Sequence, residues 1–393
     1  MKYRTLGRTG LRVSEVGFGT IPILKGSVPV LPAYFNLEEE EALTVLNHAF
    51  RLGCNLFDTA IVPEYGDAEI KLGKFAACVG RERIVISDKA RFYGGSEMYR
   101  AVAASNENLG TYADLYFVHQ VDPEHADEVF GKGGALDALA ELKREGRIRF
   151  AGVASHYYDI LLRGAGDDRV DVLQGSGNLV ERGMLDRMKE EPLFAGKGFL
   201  VNKVYAAGLL PRFFPPELLI RAVLVYPVSS ALIGIGTLEQ ADAAFGKDAE
   251  GDPEGLCLGG AAEPAAIPSF QDALSVLEKE VTLIPGESTL IPGESTLIPG
   301  ESTLIPGEST LIPCDRCQRC VCPWGTEVHT LFRQYLYFFL GKEYWSLRKL
   351  ELGIEESAAR CRQCTAMPCL EMCPRGIRIP DEVQKVLRLV RSG

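Results

Sequence analysis

Residues 1–245 alternate short β-rich runs with amphipathic helical stretches. The strand-like runs fall at 15–20, 55–60, 83–90, 114–120, 149–156, 170–178, 199–205 and 230–236. Between them, over 37–53, Ala42, Leu46, Ala49 and Phe50 recur on one helical face, and 134–146 is a second such stretch closed by a glycine. Eight βα units in succession predict an α/β fold, a (β/α)8 TIM barrel. A doubly wound open sheet shows the same alternation but seldom carries eight such units in a row.

The pattern changes after residue 245. Residues 246–281 are rich in Gly, Ala, Pro and acidic residues and hold one helix-like segment, 269–281. The heptapeptide Thr-Leu-Ile-Pro-Gly-Glu-Ser then occurs four times over 282–309, followed by 310–313. Its period invites a coiled coil, but a Pro-Gly pair in every repeat would break the helix each time. Pro-Gly suits a type II turn, so the repeats read as a linker, with a short stacked-turn structure as the alternative. The expected organisation is a barrel over 1–281, a repeat linker over 282–313, and a small, mainly helical domain over 314–393. In that last domain the aromatic run 336–340 should form core.

Composition narrows the class. With 46% hydrophobic and 24% charged residues, the 393-residue chain is not globally disordered. A balance of 42 basic against 53 acidic residues, net −11, argues against nucleic acid and anionic membranes as partners. The start has no apolar stretch of signal-peptide length, and the longest nearly apolar run, 222–236, contains Pro227 and is too short to span a bilayer. The expectation is a cytoplasmic protein without a membrane span.

Cysteine placement changes the picture most. Of eleven cysteines, eight fall in the last 80 residues, which points to metal or cluster ligands rather than disulfides. The first motif is Cys314-x2-Cys317-x2-Cys320-x-Cys322-Pro323; the second is Cys361-x2-Cys364-x4-Cys369-x3-Cys373-Pro374. Both resemble the ferredoxin pattern for 4Fe-4S clusters, in which the last cysteine ligates the other cluster. The first is shortened and the second lengthened relative to it, which leaves the pairing of cysteines open. A zinc site formed by Cys314, Cys317, Cys361 and Cys364 is the alternative, but it leaves both Cys-Pro ends unexplained. The tail carries 13 basic against 9 acidic residues, a surplus that two anionic clusters would roughly neutralise.

Four barrel residues stand near the ends of successive strands: Asp58, Tyr65, Lys89 and His119. Each alone is a weak signal. Together with Tyr3-Arg4-Thr5-Leu6-Gly7-Arg8-Thr9-Gly10, Phe57-Asp58-Thr59-Ala60, Asp114-Leu115-Tyr116, Glu145-Gly146-Arg147-Ile148-Arg149 and Ala206-Ala207-Gly208-Leu209-Leu210, they resemble the aldo-keto reductases. With the tail included, the chain resembles aldo-keto reductase-like oxidoreductases bearing a C-terminal ferredoxin-type domain.

The resemblance implies roles. Tyr65 would donate a proton to the alkoxide formed by hydride transfer, Lys89 would supply the cation that lowers its pKa, Asp58 would hold the lysine, and His119 would orient the substrate oxygen. Ser155, Gln174, Gly234, Gly236, Thr237 and Gln240 would contact NAD(P)H. The sequence departs from the family in three places: Tyr65 follows Asp58 by seven residues, two more than usual; Ala154 replaces a serine; and Gly177 replaces the aromatic that stacks on nicotinamide. His156 could approach the site, whereas His48 and Cys54 read as packing. The implied function is NAD(P)H-linked carbonyl or alcohol redox with electron transfer through two 4Fe-4S clusters. A flavin is a further candidate cofactor, and a ferredoxin-like redox protein a candidate partner. The alternative is an electron-relay or binding module whose barrel no longer transfers hydride and whose clusters are redox-active or structural.

Overall fold

A computed structural model describes residues 1–25, 36–246, 266–283, 311–320, 322–341 and 344–392. All but the first two residues of the heptapeptide repeats lie outside this set. β1 (Tyr3–Thr5) and β2 (Arg12–Ser14) form an antiparallel hairpin. Eight strands follow: β3 (Val16–Gly19), β4 (Leu56–Asp58), β5 (Val85–Ala90), β6 (Ala113–Val118), β7 (Ile148–Ala154), β8 (Val172–Ser176), β9 (Gly198–Asn202) and β10 (Ser230–Gly234). They pair in parallel with their sequence neighbours, and β10 returns to β3 to close the barrel. This closure excludes the open sheet. Every barrel strand overlaps one expected from the β-rich runs.

Local signals account for the intervening helices. Helix Glu39–Arg51 opens with a reciprocal capping box between Glu38 and Glu41 and three acidic residues in its first turn, and it buries Ala42, Val45, Leu46 and Ala49. The buried Lys71, on helix Ala68–Val79, donates at 2.8 Å to the carbonyls of Ile23 and of Leu37, fastening the chain that follows β3.

The hairpin decides which end of the barrel is open to chemistry. Leu6 and Val13 share one buried cluster with Leu56, Val85, Leu115, Val172, Leu200 and Leu232, so the hairpin seals the end where the strands begin. Gly7 makes the approach possible. At φ 53° it lies so close to β9 that a Cβ would stand 2.2 Å from the Gly198 nitrogen. Asp114, at the start of β6, is fully buried and ion-paired to Arg81 at 2.6 Å and Arg149 at 2.7 Å, a structural role. The strands' C-terminal ends are left for function, as in other barrels of this kind.

By compactness the chain divides into two units: Met1–Asn178, Met188–Val204 and Pro216–Ala266, and Leu179–Arg187, Tyr205–Pro215 and Ile267–Gly393. The second unit therefore draws on two short segments from the barrel part of the sequence. Its helices include Val328–Gly341, Tyr344–Gln363, Pro368–Met372 and Ile379–Ser392. The longest packs against the first and last of these. Leu336, Tyr337, Phe339 and Leu340 are buried, together with Leu350, Ile354, Val383 and Val386. Among the described residues no helix is long and apolar enough to cross a membrane.

Candidate functional site

Asp58 ends β4 and Lys89 lies one residue from the end of β5; the two strands are hydrogen-bonded neighbours. Lys89 Nζ donates to Asp58 Oδ2 at 2.6 Å and to the Thr59 carbonyl at 2.8 Å. The other oxygen of Asp58 accepts from Ser87 Oγ at 2.6 Å and from Gln174 Nε2 at 3.0 Å. The carboxylate is thus held on both sides and buried at 4% exposure. Ser87 was missed from sequence, although the period of a strand puts residues two apart on one face.

The two extra residues before Tyr65 are taken up locally. Pro63–Tyr65 is one turn of 3-10 helix with Pro63 at its start, and Gly66 closes it at φ 51°. Glu64, inside the turn, is paired with Arg91 at 3.2 Å. The Lys89 ammonium comes within 5.4 Å of the Tyr65 ring centre. The insertion therefore leaves Tyr65 beside Lys89.

The electrostatics differ from expectation in one respect. Burial raises the Tyr65 phenol above its ordinary pKa, and the Asp58 charge adds to this; Lys89 opposes both but does not reverse the sum. Burial works against the Lys89 ammonium, yet Asp58 and Tyr65 together keep its pKa raised. His119 follows β6, its backbone N–H bonded to the Ala90 carbonyl at 2.8 Å. Burial first, and then Lys89, Arg91 and Lys203, hold its imidazole well below the usual histidine value, so it is neutral. Its Nδ1 is buried without a hydrogen-bond partner among the described residues.

The expected cofactor residues lie at the ends of later strands. Gln174, on β8, is bonded to Asp58 through its nitrogen, while its Oε1 is buried without a partner among the described residues. The Ser155 hydroxyl donates to the Val121 carbonyl at 2.6 Å and accepts from the Tyr157 N–H at 3.0 Å. His156 Nδ1 lies 3.1 Å from Ser176 Oγ. After β10, Thr237 caps helix Leu238–Phe245 by accepting from the Gln240 N–H at 3.2 Å, and Gln240 Oε1 accepts from the Gly236 N–H at 2.8 Å. Gly234, Thr237 and Gln240 are exposed. His48 pairs with Asp242 at 2.7 Å and Cys54 is buried, both structural.

In the second unit the tail cysteines sort into two sets. Cys314, Cys317, Cys320 and Cys373 line one small cavity with His329, Phe332 and Ile377. Burial first, then crowding by Cys320, Asp315, Cys317 and Cys373, raises the Cys314 thiol well above its usual pKa. Cys361 is pushed up to about 11 by burial and by Cys322, Cys369 and Cys364. Cys320 is pushed up to about 12 by burial and by Cys317 and Cys373, with Cys369 a lesser neighbour. Three cysteines of the first motif thus join the last of the second, and Cys322 joins Cys361, Cys364 and Cys369. This separates the pairs proposed for a zinc site, Cys314/Cys317 and Cys361/Cys364. Arg316 and Gln318, both at φ 58°, turn the first motif sharply between its cysteines. Among the described residues no three His, Cys, Asp or Glu side chains are gathered closely enough to hold a single metal ion.

Comparison with known proteins agrees with the barrel. The Aldo/keto reductase family pattern matches residues 16–215, and the cysteine-rich C-terminal region is matched by no family. L-galactose dehydrogenase of Arabidopsis thaliana is 31% identical over 236 residues, which cover 55% of this chain and 69% of that protein. NADH-specific methylglyoxal reductase of Escherichia coli is 28% identical over 225 residues, covering 51% of this chain and 66% of that protein. Among solved structures, an aldo-keto reductase from Pseudomonas aeruginosa is 29% identical with a TM-score of 0.54, covering 63% of this chain and 95% of that one. The holo form of an aldo-keto reductase from Bacillus halodurans, 22% identical, shares the fold with a TM-score of 0.55 over 70% of this chain and 96% of that one. With the family pattern running over more than half of its 393 residues, the chain belongs to the aldo/keto reductase family of NAD(P)H-dependent oxidoreductases.

Proposed function

We propose that this protein carries out NAD(P)H-linked redox of a small carbonyl compound or its alcohol, and that its C-terminal unit holds two 4Fe-4S clusters. The observation that carries the second half is the single cavity lined by Cys314, Cys317, Cys320 and Cys373. Three ligands from one motif and the Cys-Pro cysteine of the other is the arrangement of two-cluster ferredoxins. Cys322, Cys361, Cys364 and Cys369 would hold the second cluster.

The barrel residues fit a nicotinamide cofactor. The buried Gln174 Oε1, without a partner among the described residues, is an acceptor suited to a carboxamide N–H. The exposed turn at Gly234, Gly236, Thr237 and Gln240 would take the phosphate end, beside the first turn of a helix. It holds no basic residue to favour a 2′-phosphate, so NADH and NADPH are both in play. Ser155 would assist through backbone position, its hydroxyl being engaged. When bound, the cofactor supplies hydride. Tyr65 Oη would deliver the proton to the substrate oxygen, and Lys89 would stabilise the phenolate left behind. Asp58, braced by Ser87 and Gln174, fixes the ammonium. Neutral His119 would hold the substrate oxygen by a hydrogen bond. Relatives named for L-galactose and for methylglyoxal are in keeping with a small oxygenated substrate.

Hydride moves two electrons together, whereas each cluster takes one. Coupling the two halves needs a centre that splits the pair, and a flavin is the candidate. The test is anaerobic purification with metal, sulfide and flavin analysis, followed by fluorescence titration with NADH and NADPH. About eight irons and eight sulfides per chain and saturable nicotinamide binding are expected. Stoichiometric zinc without sulfide overturns the clusters. Full iron with no nicotinamide binding leaves the electron-relay reading instead.

A further inference from the structure

Ser87 and Lys89 both reach Asp58 from one face of β5, so Asp88 between them lies on the other face. Asp88 is fully buried, and Glu69, in the first turn of helix Ala68–Val79, is 4% exposed. Asp88 Oδ1 accepts from the Lys89 N–H at 2.8 Å, and Glu69 Oε2 accepts from the Asn108 amide at 2.7 Å. The remaining oxygens, Asp88 Oδ2 and Glu69 Oε1, are buried and meet no donor among the described residues. The two carboxyls nevertheless lie within hydrogen-bonding reach of each other. The nearby ammonium groups are engaged elsewhere: Lys71 with Ile23, Leu37 and Asp67, and Lys89 with Asp58 and Thr59. Tyr116, on β6, shares a hydrogen bond of 2.9 Å with Ser105, and burial and the two carboxyls hold its phenol well above the ordinary pKa. Helix Gly95–Leu109, which carries Ser105 and Asn108's neighbour Leu109, packs so tightly that a Cβ on Gly73 would stand 2.2 Å from the Leu109 carbonyl oxygen.

Two ionised carboxylates so placed repel each other and leave both oxygens without a donor, whereas a carboxylic acid and a carboxylate bond each other. Burial first, and then Glu69, raise Asp88 well above the ordinary carboxylate range, and the Lys89 N–H and ammonium do not reverse this. We propose that Asp88 and Glu69 hold one proton between them, and that the bond it makes is a clamp positioning Tyr65 against Lys89. Asp88 adjoins Lys89 on β5, and Glu69 stands in the first turn of the helix that follows Tyr65, so the clamp ties together the two segments that bear them. Tyr65 and Lys89 in turn feel the Asp88 charge from across the strand. The shared proton stands by itself; the positioning role rests on the proposed carbonyl redox.

The test uses the full chain. At neutral pH, infrared difference spectra of wild type against Asp88→Asn and against Glu69→Gln should each show one protonated-carboxyl stretch. Each variant brings an amide donor of its own, so the bond survives without the proton. Absence of that stretch from both spectra overturns the sharing. Hydrogen exchange of peptides within 61–79, corrected for the intrinsic pH dependence of exchange, tests the clamp. Opening returns the carboxyls to ordinary pKa values and releases the proton. Above about pH 5, wild-type protection should therefore fall by up to about tenfold per pH unit, whereas in Asp88→Asn it should stay level. Equally flat protection in both overturns the clamp. Asp88→Ala, which cannot bond Glu69, should lower kcat for methylglyoxal with NADH and leave KM nearly unchanged, and Asp88→Asn should restore kcat. Turnover untouched by Asp88→Ala overturns the positioning role alone. A wild type that does not reduce methylglyoxal counts against the carbonyl reading beneath it, and the exchange data then decide the clamp.

Discussion

Lys89 and Asp58 are locked together where β5 and β4 end, Nζ 2.6 Å from Oδ2, with side chains only 2% and 6% exposed. Removing one partner of a buried pair leaves the other charge uncompensated, which costs about 3–5 kcal/mol. Lys89→Met should destabilise the barrel by that order in urea unfolding and remove most carbonyl reduction. The double variant Lys89→Met/Asp58→Asn should regain part of the stability but none of the activity, because no carboxylate is then stranded. Equal stability of the single variant and wild type would overturn the role of this pair in holding the two strand ends together.

Tyr65→Phe should lower kcat/KM for carbonyl reduction by roughly 10²–10⁴-fold, the usual contribution of a positioned acid. Nicotinamide affinity should hardly change, since the phenol acts in the transition state and does not grip the nucleotide. Unchanged turnover would shift the proton to another donor at the strand ends, with His119 or His156 tested next. Because burial outweighs Lys89 and raises the phenol's pKa in the cofactor-free chain, spectrophotometric titration without cofactor should show no tyrosinate from Tyr65 below pH 9.

His119 gives the barrel a pH dependence of defined sign. Its folded pKa lies well below the ordinary value of about 6.5, chiefly through burial. Above that pH the imidazole is neutral in both states and contributes nothing. As pH falls below it, the unfolded chain takes up a proton that the folded site refuses, so stability drops by up to about 1.4 kcal/mol per pH unit. Between pH 7.5 and 5.5 wild type should lose about 1.4 kcal/mol more than His119→Gln in urea unfolding. Parallel losses in the two proteins would mean that the folded imidazole protonates freely.

What could be read before the fold was known follows from the range of each signal. Strand and helix periods are local, so all eight barrel strands and helices such as Glu39–Arg51 were recoverable, with ends shifted by at most three residues. The turn that absorbs the insertion had a local sign too, Pro63 at its first position. Gln174 was expected only as a cofactor ligand. Its bond to Asp58 spans 116 residues and exists because the barrel closes. Glu181 carried no signal: it meets Arg333 across 152 residues, in a segment that compactness assigns to the cysteine-bearing unit. Spacing identified the eight cysteines but could not sort them, since the shortened Cys320-x-Cys322 step blurs which thiol crosses over.

The sorting itself is testable one cysteine at a time. Cys373 lies 53 residues from Cys320 in sequence yet shares a cavity with it, whereas Cys322, two residues from Cys320, keeps company with Cys361, Cys364 and Cys369. Serine is a poor replacement for a cluster thiolate, so Cys373→Ser should lose the first cluster and keep the second, halving iron and sulfide from about eight to about four. Cys314→Ser added to Cys373→Ser should cost nothing more, because both serve the same centre. Cys322→Ser added to Cys373→Ser should remove nearly all the iron, because the two serve different centres. Were the motifs self-contained instead, with Cys322 completing the first set, Cys314→Ser/Cys373→Ser would empty the protein as well, because the two cysteines would then serve different centres. Iron analysis of these two double variants, purified side by side without oxygen, distinguishes the arrangements.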